Sequence, residues 1–142
     1  MSKARAFFLG ALVLVLGVSP TAVPQEPSVV AAQVTVDYAA GDESFSGVVS
    51  STELEGYNEA GCVGRRHVVI KRVRKGRDKT VNRDLTNSEG RFRIPYLLAN
   101  GGPQKAGRFY AEVVRKVLVS EDDGSEARCE PAASGRIQVT EP

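Results

Sequence analysis

Tryptophan is absent from these 142 residues, and histidine occurs once, as His67. One His and two Cys fall short of the four ligands of a typical zinc centre. A Ser–His–Asp triad would have to use His67, and no G-x-S-x-G elbow supplies its serine. In the middle of a basic strand, His67 reads instead as an exposed strand residue. No P-loop and no dinucleotide fingerprint is present. There is no Cys-x-x-Cys, so a catalytic thiol pair is not expected. The carboxylates at 121–123 and Glu126 follow no EF-hand spacing and read as a solvated loop. No spacing points to a glycosidase-like carboxylate pair. These shortages predict a chain that is not an enzyme and carries no metal and no cofactor.

Charge of one sign is also scarce. The formal net charge is +2, and setting aside Lys3, Arg5 and Glu26 with residues 1–32 leaves +1. Such a balance demands no polyanionic partner, and nucleic acid is not expected. The length allows one ordinary domain with a single modest core. Fourteen glycines suit short strands joined by turns better than a helix bundle.

The long apolar run is confined to the N-terminus. Lys3 and Arg5 precede Ala6 to Val18, which holds only apolar residues and glycine. That run is short of the ~20 residues needed to span a bilayer. Pro20, Pro24 and Pro27 follow and break any helix. Residues 1–32 therefore read as a signal peptide and leader, cleaved somewhere between Ala22 and Ala32. An uncleaved anchor is the alternative. Residues 33–142 form the expected mature domain, secreted and without a transmembrane span.

Alternation dominates the rest. Gln33 to Tyr38 switches polar and apolar as a half-buried strand does. Ser44 to Ser51 follows, with Phe45, Gly47 and Val49 on one face. Thr52 to Gly64 is a polar loop. Arg65 to Lys75 is a strand directing Val68 and Ile70 inward, and Lys75 to Asp78 is its hairpin turn. Thr80 to Leu85 returns. Thr86 to Gly90 is an Asx-type turn, then Phe92 and Ile94 are buried in Arg91 to Ile94. Arg108 to Val119 reads as one long strand with Phe109, Ala111 and Val113 sharing a face. Ser120 to Arg128 reads as an acidic loop, and Ser134 to Thr140 closes the domain. The expectation is all-β: a single β-sandwich of about seven strands.

Cys62 and Cys129 are the only cysteines, and an even count in a secreted domain predicts a disulfide. Each precedes a late strand, so strand pairing would bring them together. Two free thiols are the alternative. The other uneven feature is the basic stretch at 65–79. Its candidate binding residues are Arg66, Lys71, Arg72, Arg74, Lys75 and Arg77. Such a hairpin suits anionic wall polymer, lipid or nucleic acid through salt-dependent contacts. Without interleaved aromatics it makes a poor nucleic-acid platform. The favoured reading is plainer: a solvated hairpin whose cations discourage edge-to-edge aggregation.

The order of motifs resembles transthyretin-like domains, also called carboxypeptidase regulatory-like domains. The residues carrying it are Phe45-Ser46-Gly47-Val48-Val49; Cys62 with Arg65, Arg66, Val68 and Ile70; Thr86-Asn87-Ser88-Glu89-Gly90-Arg91-Phe92; and Gly107-Arg108-Phe109-Tyr110-Ala111. Phe109 stands where a Tyr usually falls. The sequence is also similar to a group of exported bacterial proteins that share the F-S-G start and one Cys pair. The resemblance covers about residues 44–140 and implies a prealbumin-like sandwich. It carries over no catalytic residue. It implies a secreted structural or protein-binding module, with cell-wall polymer, carbohydrate or another exported protein as candidate partners. The second reading is a binding module for anionic polymer or carbohydrate through the basic hairpin.

Overall fold

In the computed structural model, the described residues are 23, 25–52, 61–96 and 106–140. They are built from strands and turns, with one 3-10 turn at Ala40–Asp42 and no α-helix among them. The expected leader segment 1–22 lies outside the described residues, as do parts of the loops at 53–60 and 97–105.

One sheet holds β2 (Ala32–Ala39), β3 (Ser44–Ser51) and β6 (Arg91–Pro95), all antiparallel. A second holds β4 (His67–Arg72), β5 (Lys79–Leu85), β7 (Gly107–Val113), β10 (Ala132–Ala133) and β11 (Ile137–Val139). Within it β7 lies beside β4 and receives both β10 and β11. Period-two patterning decides which side chains enter. Val34 and Val36 are buried on β2, while Gln33, Thr35 and Asp37 are exposed. Phe45, Val49, Phe92 and Ile94 from the first sheet meet Val68, Ile70, Phe109, Ala111, Val113 and Val139 from the second in one core. Phe45, Tyr96 and Phe109 pack with centroids 5.0 to 5.3 Å apart, the tilted and edge-on arrangements that ring quadrupoles favour.

Two glycines are dictated by this packing. A Cβ at Gly47 would collide with the Thr35 carbonyl and the Phe92 ring. Gly90 has φ +80 and lies against the Val49 carbonyl, where only a residue without a side chain fits. Gly90 closes the turn in which Asn87 Oδ1 accepts from the backbone of Glu89 and Arg91, at 3.0 and 2.9 Å.

A third, smaller sheet differs from the sequence reading. It contains β8 (Lys116–Val119), β9 (Glu126–Cys129) and β1 (Ser28–Val30), in the order β1-β9-β8. The expected single strand from Arg108 to Val119 is therefore two strands in two sheets, interrupted at Val114 and Arg115. The expected acidic loop contains β9. Ser28 to Val30, read as leader, pairs in parallel with β9. Val30, Cys62, Leu118, Ala127 and Cys129 form a second buried cluster under this sheet. The chain thus has eleven strands among the described residues rather than about seven. The excess comes from splitting one strand and from short pairings that no local pattern announces.

Candidate functional site

Cys62 and Cys129 are joined by a disulfide, with Cα atoms 5.4 Å apart at a sequence separation of 67. Both are buried. The bridge fastens the turn at 61–65 to β9, and thus ties the small sheet to the rest of the fold.

Beside it lies Arg66, whose side chain is fully buried. A buried guanidinium needs every N–H satisfied, because an unpaired one costs as much as a lost hydrogen bond or more. Here Nη1 donates to the Cys62 carbonyl at 2.8 Å. Nε and Nη2 both donate to the Val114 carbonyl, at 3.0 and 2.7 Å, and Nη2 also donates to the Glu130 carbonyl at 2.9 Å. The Arg66 backbone N–H donates to Thr86 Oγ1 at 2.9 Å, and that hydroxyl donates to the Val63 carbonyl at 2.6 Å. Burial holds the guanidinium pKa below its ordinary value. Lys116 completes the node from the other side, with Nζ 3.1 and 2.7 Å from the carbonyls of Gly61 and Gly64. Burial, then the charges of Arg66 and Arg65, push the Lys116 amine below its usual range. These bonds explain the break between β7 and β8: Val114 turns its carbonyl to Arg66 instead of continuing the ladder.

Arg66 is consequently removed from the surface of the basic hairpin where sequence placed it. The remaining candidates are divided by the fold. Lys71 forms an ion pair with Glu112 across β4 and β7, Nζ to Oε2 2.7 Å. That hydrogen bond raises the Lys71 pKa against the opposing effect of burial. Arg72 Nη2 donates to the Ala106 carbonyl at 2.7 Å, and its guanidinium carbon lies 5.8 Å from the Phe109 ring centroid. Arg74, Lys75 and Arg77 are exposed on the turn between β4 and β5, around Gly76 with φ +95. Asp78 accepts from the Arg74 backbone N–H at 3.1 Å and from the Tyr110 hydroxyl at 2.9 Å. These two bonds, in that order, lower the Asp78 pKa. Among the described residues the hairpin tip therefore presents three exposed cations, Arg74, Lys75 and Arg77, not a six-residue platform.

A concavity lies apart from both the disulfide and the hairpin. Asp37, Tyr38, Ala40, Ile137, Gln138 and Thr140 line a shallow hollow of about 340 Å³ between the ends of β2 and β11. Burial and the neighbouring Glu43 raise the Tyr38 pKa. Its only signal in the sequence is an acidic and an aromatic residue ending the first alternating run. His67 is exposed, as expected. Among the described residues no three His, Cys, Asp or Glu side chains cluster as metal ligands would. No helix among them is long and apolar enough to cross a membrane. Comparison of the chain with protein-family models, with curated proteins and with solved structures finds no match.

Proposed function

We propose that this chain is an exported β-sandwich module, of transthyretin-like type, that acts by binding or bracing another exported protein and performs no chemistry of its own. The observation that carries the reading is the buried Cys62–Cys129 bridge packed against the carbonyl-bound Arg66. Disulfides persist in oxidising compartments, and a bridge of this kind rigidifies a small domain outside the cytosol. Arg66, Lys116, Thr86 and Asp78 each satisfy backbone groups, so these polar side chains serve to hold the fold. The arrangement of two larger sheets about one core, with the G-x-V strand at Gly47 and the turn at Gly90, suits a prealbumin-like sandwich.

The test is to express the full chain in a bacterium with its leader, fractionate, and trap thiols by alkylation. The exported fraction is expected to hold a processed chain with neither cysteine alkylated. A chain retained in the cytosol with two free thiols would overturn the reading. A hydrolytic activity lost on His67→Ala would overturn its non-enzymatic part.

A second reading rests on the tip of the β4–β5 hairpin, where Arg74, Lys75 and Arg77 are all exposed. These would hold an anionic wall polymer through contacts weakened by salt. Co-sedimentation with isolated cell wall at low and high salt tests it. Binding that fades with salt and is lost when all three become Gln favours the polymer. Binding indifferent to both favours a protein or glycan partner.

A further inference from the structure

We infer that β8 is an association edge, at which Lys116–Val119 pairs antiparallel with the same strand of a second copy of this chain. In the small sheet β8 is bonded to β9 on one side only, and no described strand covers its other side. Which backbone groups face that free side follows from two hydrogen bonds. Ser120 N–H donates to the Ser125 carbonyl at 2.8 Å, closing the β8–β9 hairpin, and Glu130 N–H donates to the Val30 carbonyl at 2.9 Å. Antiparallel ladders alternate bonded and non-bonded pairs. Ser120, Leu118 and Lys116 therefore turn their backbone groups to β9, whose even-numbered residues turn to β1. The N–H and C=O groups of Val117 and Val119 are left pointing outward from the edge.

The side chains at the same two positions are apolar and exposed: Val117 at 50% and Val119 at 60%. Across the sheet Val117 stands in register with Arg128 and then Val29, itself 66% exposed. An edge that no described strand covers, flanked by β-branched residues, is a template for strand addition.

Charge selects a second copy as the occupant. Arg115 lies at the start of β8, exposed and 3.5 Å from Glu130 of its own chain, beside Lys116, whose Nζ is held by the carbonyls of Gly61 and Gly64, and Glu121, Asp122 and Asp123 follow the strand's end. Antiparallel pairing brings the basic start of one strand to the acidic end of the other. With the two-fold axis at Leu118, Val117 faces Val119 of the second copy, and Arg115 faces Glu121 of the second copy. In this register Val117 and Val119 form a hydrogen-bonded pair, as their outward groups require, and Leu118 meets itself in a non-bonded pair. The result is one six-stranded sheet running β1-β9-β8-β8-β9-β1 across two copies. The contact is isologous, as closed dimers are, and small enough to be reversible.

Sedimentation equilibrium of the oxidised protein, from micromolar to millimolar, tests the inference. Wild type is expected to dimerise reversibly. Val119→Pro removes one of the two outward donors without touching a β9 bond and is expected to remain monomeric. Because proline can also disturb the hairpin itself, charge reversal supplies an independent reading on exposed residues. Arg115→Glu and Glu121→Arg each create two like-charge pairs across the contact, the first also losing the Arg115–Glu130 pair within each chain, and are expected to weaken the dimer by roughly ten-fold. The double variant restores both pairs and is expected to return to wild-type association. A wild type that stays monomeric at millimolar concentration overturns the proposal. So does association unchanged in Val119→Pro, which would place the contact elsewhere, or a double variant no tighter than either single.

Discussion

Arg66 donates two hydrogen bonds to one carbonyl, that of Val114, which is 48 residues away in sequence. The same guanidinium reaches Cys62 and Glu130, so three chain segments converge on a single planar cation. Carbonyl dipoles alone hold its charge, and no carboxylate touches it among the described residues. Removing it would strand three acceptors at once, the Cys62 carbonyl in a buried bond and those of Val114 and Glu130 in part-buried ones. Arg66→Met is expected to destabilise the fold by about 3 kcal/mol or more, read by urea denaturation of the oxidised protein. Arg66→Lys restores the charge but not the fork, and should recover only part of the loss. A change below about 1 kcal/mol for Arg66→Met would show that the node carries little of the stability.

The Cys62–Cys129 bridge closes a loop of 67 residues, for which the chain-entropy model gives roughly 4 kcal/mol. A domain of this size holds only about 5–15 kcal/mol in total. Reduction is therefore expected to lower the melting temperature sharply, and Cys62→Ser with Cys129→Ser should reproduce the drop. A melting temperature indifferent to reductant would mean that the bridge contributes nothing to the folded state's advantage.

Much of the core was legible because period-two alternation is a local signal. Phe45 and Val49, Phe92 and Ile94, and Phe109, Ala111 and Val113 all point inward as the pattern implied. Ser44–Ser51 matches its expected bounds. The break at Val114 was not legible, since β-branched residues continue through it and its cause is an arginine in another strand region. Arg66 itself was read as one cation in a basic face. Nothing in its neighbours distinguishes a side chain that turns under the 61–65 turn from one that turns to solvent. The small sheet was missed for a related reason. Ser28–Val30 finds its partner at Ala127–Cys129, nearly a hundred residues downstream, and three residues are too few to alternate visibly.

That pairing bears on processing. Val30 is 4% exposed and packs with Cys62, Leu118, Ala127 and Cys129, while its carbonyl accepts from Glu130 N–H. Val30→Ala is expected to cost about 1–2 kcal/mol. Cleavage after Ala32 would discard β1 altogether and uncover this cluster, whereas cleavage near Ala22 would keep it. If the chain is exported and processed as proposed, intact mass of the processed form is expected to place its first residue at or before Ser28. A mature chain beginning at Gln33 would show that the domain functions without β1.

Lys116 gives the node a pH signature. Its folded-state pKa lies below the ordinary 10.5, first because of burial and then because of the Arg66 and Arg65 charges. Between that lowered value and 10.5, the unfolded chain holds a proton that the folded chain has released. Stability contributed at this site therefore rises with pH through that window and levels off above 10.5. Lys71 works in the opposite sense, since its pKa is raised by Glu112 and its contribution is lost only as pH climbs above 10.5. Tyr38, Tyr96 and Tyr110, all raised, likewise withdraw stability above 10.0. The Lys116 effect is therefore isolated by difference, from denaturation of wild type and Lys116→Met at stepped pH. The stability gap between the two is expected to change in favour of wild type as pH approaches 10.5 from below. A gap constant across that window would mean that Lys116 titrates alike in the folded and unfolded chains, and that the carbonyls of Gly61 and Gly64 offset the cost of holding it beside Arg66.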